Sequence, residues 1–108
     1  MDEGPLNIAA AEQGGGRHLT LVGEATIYAA APAKARLLAE LNEAAALSLD
    51  LSGVHEVDTS FVQLLLLLAR EAGRGNKPLK IGAVSRPVEQ ILELYFLTER
   101  LLGRAEAA

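Results

Sequence analysis

The chain has 108 residues, half of them apolar, with 10 Lys and Arg against 14 Asp and Glu and a net charge of −4. That composition describes one small acidic domain with enough apolar residues for a single core, and it excludes a disordered or fibrous chain. With no cysteine there is no disulfide framework, thiolate metal site or cysteine nucleophile, and a pI near 5.1 argues against nucleic acid as a partner.

The 19 alanines and 20 leucines bias the chain toward helix. Leu6, Ile8 and Ala10 alternate with polar or small residues, and His18 to Val22 form a second extended run after Gly14, Gly15 and Gly16. The pattern predicts two strands joined by a glycine loop. No Lys-Ser/Thr follows the glycines, so a phosphate cradle is not expected. From Pro32 to Ala45, Leu37, Leu38, Leu41 and Ala45 recur at helical spacing opposite Lys34, Arg36, Glu40 and Glu43, with Pro32 suited to the first turn.

Leu47 to Leu51 is expected to be a central strand, read as continuously apolar without alternation, which suggests cover on both sides or at least a middle position. A Ser52-Gly53 turn then leads to a second helix over 59–72. Gly73 to Pro78 read as a loop, Leu79 to Val84 as a strand, and Ser85-Arg86-Pro87 as the opening of a third helix over 86–96 with Val88, Ile91, Leu92 and Tyr95 buried. The predicted order β-β-α-β-α-β-α gives an α/β fold, a mixed four-stranded sheet covered by three to four helices. The domain is expected to span 1–108, with its core at about 6–97 and a tail from Thr98 to Ala108 in place of a full final helix. The N-terminus lacks a basic region followed by an apolar one, and the apolar run Val62 to Leu68 is broken by Gln63. No membrane insertion is therefore expected, and the expected compartment is the cytoplasm.

The stretch from Ser48 to Gly73 is the most informative. Asp50-Leu51-Ser52-Gly53-Val54 followed by Asp58-Thr59-Ser60 resembles the signature of the STAS family, the small domain shared by anti-sigma-factor antagonists and the cytoplasmic tails of sulfate transporters. Val22-Gly23-Glu24 is similar to the end of that family's second strand. The resemblance implies a non-catalytic module that binds another protein in a bacterial stress, sigma-factor or chemotaxis pathway. It implies a partner kinase that is also an anti-sigma factor, and a phosphorylated serine at Ser60, with Thr59 the second choice. An ABC-transporter ATPase is the alternative partner, because other short members are subunits of phospholipid-transport complexes. No cofactor or metal is implied, and a homodimer stays open.

The residues themselves allow such a switch. Asp58 can cap the second helix, with Val57 and Val62 spaced as a hydrophobic staple, so that a phosphate on Ser60 would sit over a helix N-terminus. Where the family has glycine this chain has Phe61, which at 100° per residue falls in the apolar arc with Leu65 and Leu68. Ser60, Gln63, Leu66, Leu67 and Arg70 fall on the opposite arc, where two leucines have no place on a solvated face. Asp58, Thr59, Ser60, Gln63, Leu66 and Leu67 are thus the candidate contact surface, with cover of the leucines by the third helix the plain alternative. Asp50 and Asp58 flank His55, read as a solvated loop histidine, and no nucleophile or ligand cluster accompanies them. Arg70, Arg74 and Lys77 read as positive charge at a helix C-terminus and in the loop beyond it.

Overall fold

The computed structural model describes residues 5–103. Residues 104–108 of the expected tail lie outside the described residues. The elements are β1 (Leu6–Gln13), β2 (Gly16–Ala25), α1 (Ile27–Glu43), β3 (Leu47–Val57), α2 (Thr59–Arg74), β4 (Leu79–Val84), α3 (Arg86–Leu94) and α4 (Thr98–Leu102). The sheet order is β1-β2-β3-β4. β1 is antiparallel to β2, and β2, β3 and β4 are parallel, so the sheet is mixed and β3 is interior as expected. Gly14 and Gly15 make the hairpin turn with φ of 55° and 87°, a geometry that glycine adopts without steric cost. Gly16 is already strand.

Cover on both faces is not what β3 shows. Leu47, Leu49 and Leu51 are buried while Ser48 and Asp50 are half-buried, and Leu19, Leu21 and Ile81 share the buried face. This is strict alternation, and the helices close that one face. The Ser52-Gly53 turn is also absent, since β3 runs on to Val57. Between Thr20↔Asp50 and Val22↔Gly53, β3 holds one more residue than β2, a bulge that resets the phase so that Val54 is buried too. Gly53 suits the bulge because a Cβ there would lie 2.9 Å from Val22 Cγ2. His55 accordingly stands exposed on a strand, not in a loop.

α1 starts five residues before Pro32, which lies inside the helix on its exposed side. Proline removes one helix hydrogen bond there, to the carbonyl of Tyr28, a residue exposed at the surface. Leu37 and Leu41 are buried as the spacing predicts, whereas Ala45 lies past the helix end and is exposed. α3 ends at Leu94. Tyr95, placed in the buried stripe by the sequence, is exposed, because Phe96 turns the chain with φ 57°. The expected tail instead contributes α4, whose Leu101 is buried in the core. Among the described residues, no helix is long and apolar enough to cross a membrane.

Two glycines test this account in opposite directions. Gly23 has φ 123°, and a Cβ there would meet Pro5 O at 2.2 Å, where the Glu24 N–H donates a 2.7 Å hydrogen bond. Gly73 lies in the last turn of α2, and a Cβ there would meet nothing within 4 Å. Urea unfolding should show Gly23→Ala destabilised by about 1–3 kcal/mol. Gly73→Ala should be stabilised by about 0.5–1 kcal/mol.

Candidate functional site

The site is built where β3 ends and α2 begins. Asp58 has extended backbone, and its N–H donates to Ala25 O at 3.3 Å, fixing it beside the end of β2. Its Oδ1 accepts the Ser60 N–H at 3.0 Å and the Ser60 hydroxyl. Its Oδ2 accepts the N–H of Ile27, the first residue of α1, at 2.9 Å. Thr26, in the N-cap position of α1, makes no side-chain cap bond, so the carboxylate of Asp58 caps both helices. The cap on α2 is legible from sequence. The cap on α1 is not, because its donor lies 31 residues earlier in a helix whose start was misplaced.

From that corner α2 divides into two faces. Phe61, Val62, Leu64, Leu65, Leu68 and Ala72 are buried. Phe61 is 2% exposed, so its ring is spent on the core. Thr59 and Gln63 are exposed, and Ser60, Leu66 and Leu67 are half-buried. Leu66 packs against the core, which accounts for one of the two misplaced leucines. Leu67 stands on a ridge with grooves on both sides. One groove, about 430 Å³, runs between α1 and α2 over Ala30, Ala31 and Lys34 and contains Ser60 and Gln63. The other, about 260 Å³, lies toward Arg100 of α4. The structure therefore brings Ser60, Gln63 and Leu67 to one groove, with Leu66 and Leu67 bordering its neighbour.

Other expected features are dispersed. Asp50 lies on the open face of the sheet and accepts the Ser52 hydroxyl at 2.6 Å and its N–H at 2.8 Å. It is separated from Asp58 by roughly 25 Å of strand rise. On the same face His18 Nδ1 and Ser48 Oγ are 2.6 Å apart, a pairing from neighbouring strands that no local motif signals. Lys77 is not a solvated loop residue: its ammonium donates to the carbonyls of Leu41 and Asn42 at 2.7 and 2.8 Å, completing the C-terminus of α1. Among the described residues, no group of three or more His, Asp or Glu could hold a metal ion.

The family model described as "Mlab, STAS domain" matches residues 8–103. The chain belongs to the STAS family. No curated protein matches it. An anti-sigma factor antagonist from Mycobacterium paratuberculosis shares the fold with a TM-score of 0.80 at 16% identity, over 89% of this chain and 82% of that one. The anti-sigma factor antagonist SpoIIAA in its unphosphorylated form is similar, with a TM-score of 0.73 at 15% identity over 88% and 85%. At these identities the likeness is one of fold.

In this STAS domain the corner carries a definite charge state. Partial burial works against the ionised form of Asp58, but the hydroxyl of Ser60 and the amides of Ile27, Ser60 and Phe61 outweigh it and hold the carboxyl below its ordinary range. A depressed folded pKa means that the carboxylate stabilises the fold above the ordinary Asp value and loses that contribution as pH falls through the folded value. Asparagine offers one carbonyl oxygen where two carboxylate oxygens are needed. Asp58→Asn should therefore cost about 1–3 kcal/mol at pH 7. In urea unfolding the gap from wild type should narrow as pH drops below about 4. A gap unchanged down to pH ~2 would show that the charge is not what stabilises the corner.

Proposed function

We propose that this STAS domain is a non-catalytic regulatory module that binds another protein through the outer face of α2, with Ser60 as the residue where phosphorylation switches the contact. The observation that carries the reading is the shared groove: the serine of the Asp58-Thr59-Ser60 motif and the ridge leucine Leu67 line one cleft between α1 and α2. A charge added at Ser60 would enter the surface a partner must cover.

The geometry alters how such a switch would act. A phosphate on Ser60 would not meet a free helix N-terminus, because the Ser60 amide is already bonded to Asp58 Oδ1. The modification removes the hydroxyl donor and adds about −1.5 to −2 charges beside that carboxylate. It therefore weakens a cap while charging the groove, and desolvating the phosphate against Leu67 opposes binding.

The leading partner is an anti-sigma-factor kinase or another signalling protein, supported by the fold shared with two anti-sigma factor antagonists. An ATPase of an ABC-type phospholipid-transport complex is the second reading, kept because the matching family model is described as Mlab and not as an antagonist. Copurification from the native host followed by affinity measurement tests both. Recovery with a transporter ATPase would reject the signalling partner, and turnover of a small substrate would reject both. With the recovered partner, Ser60→Asp should weaken binding. Leu67→Ala should weaken it about tenfold with an unchanged melting temperature. A stability loss of about 2–5 kcal/mol for Leu67→Ala would place that residue in the core and remove the docking face.

A further inference from the structure

Five of the ten Lys and Arg residues of this acidic chain gather around one leucine. Leu67 lines both grooves described above and a third of about 610 Å³ over Leu38 and Leu41. Into these grooves come Lys34 from α1, Arg70 and Arg74 from α2, Lys77 after it and Arg100 from α4. Among the described residues, the carboxylate lining them is Glu71, 3.9 Å from Arg70 and 3.3 Å from Arg74. It offsets one charge. Lys77 donates to two backbone carbonyls, not to a carboxylate. Complementing the dipole of α2 accounts for Arg74 in its last turn. It accounts for neither Lys34 in the middle of α1 nor Arg100 on α4.

We infer that the Leu67 ridge receives an acidic amphipathic segment of a partner protein, whose apolar side chains enter the grooves beside Leu67 while its Asp or Glu residues face these cations. The inference rests on the docking face proposed above and adds the chemistry of what docks there. A helix laid in a groove by its apolar stripe has this form. The alternatives fit less well. An anionic membrane would need protruding apolar side chains, yet Leu66 and Leu67 are half-buried, and the exposed ones, such as Tyr28 and Phe96, lie outside these grooves. Single-stranded nucleic acid would need aromatic platforms, and no aromatic lines the grooves. The serine also fits, since a phosphate at Ser60 would share its groove with Lys34 and repel an acidic segment.

The test is titration of the isotope-labelled protein with a synthetic helical peptide carrying Leu at i, i+3/i+4 spacing and Glu elsewhere. A matched Leu/Lys peptide and phosphatidylglycerol vesicles are the comparisons. The Leu/Glu peptide should shift amide resonances around Lys34 and Leu67 and weaken about tenfold between about 0.05 and 0.5 M salt. Lys34→Glu with Arg74→Glu should cost about tenfold and favour the Leu/Lys peptide. The neutral pair K34Q/R74Q, which spares the end of α2 a new carboxylate, should lose less in the same direction. Equal binding of the Leu/Lys peptide, binding of vesicles without peptide, shifts confined to other surfaces, or none at all would overturn the inference. If a copurified partner needs Leu67 but ignores the charge reversals, the docking face stands and the acidic partner does not. If it ignores Leu67 as well, both fall.

Discussion

One carboxylate holds the working corner of this domain together. Asp58 sits where β3 gives way to α2, and its two oxygens accept from the first turns of two helices that are remote in sequence. Each bond closes a backbone donor that helix geometry leaves open, and the negative charge lies at the positive ends of two helix dipoles. The arrangement ties the start of α1 to the start of α2. The groove between them, with Ser60 at its edge, follows from that spacing. Hydrophobic packing brings the helices onto the sheet, but it is non-directional and would tolerate sliding. The shared cap removes that freedom at one end, and Lys77, bonded to the last carbonyls of α1 from the loop beyond α2, removes it at the other.

Much of the fold was legible because most elements obey simple periods. The hairpin, the body of α2 and its two faces follow from spacing; the interior place of β3 was expected from a run read as continuously apolar, although the strand alternates and is covered on one face. The failures have physical causes. The inward residues of β3 run Leu51, Val54 and Val57, three apart, because bulges add residues to the strand; a period of two loses the strand after Leu51 and sees Ser52-Gly53 as a turn. Pro32 reads as a first-turn proline by its ring geometry, and only tertiary structure reveals that it sits inside α1, on the exposed side of the helix. Tyr95 continues the apolar stripe of α3 on paper, but Phe96 takes a left-handed conformation that sequence would assign to glycine.

The candidate site was half legible for a related reason. Asp58, Thr59, Ser60, Gln63 and Leu67 are close in sequence and lie on one helix, so a wheel places them on one face. What surrounds them comes from elsewhere in the chain. Lys34 and Arg100 lie 66 positions apart and line separate grooves that share Leu67 of α2. A net charge of −4 conceals this, because an average says nothing about segregation. Glu40, in contrast, shows acidic charge held away from the ridge: partial burial is outweighed by bonds from Arg36 and Arg17, and its carboxyl is held below the ordinary range. Charges that pair on one flank leave the unbalanced cations to the other.

These observations meet at Ser60. Its hydroxyl donates to the same oxygen of Asp58 that accepts its amide, while the other oxygen holds Ile27. Any group added to that hydroxyl acts on three things at once. It takes a donor from the carboxylate, it places charge in the groove that contains Lys34, and through Asp58 it reaches the first turn of α1, where Ile27 and Tyr28 are 65% and 88% exposed. For an acidic segment lying along the ridge the second effect opposes binding, since it makes the groove more negative. The side chains of Phe61 and Leu65 lie in the buried core, away from that hydroxyl's bond to Asp58. A surface can therefore change its binding while the fold beneath it persists, which is the physical requirement for a regulatory module of this size.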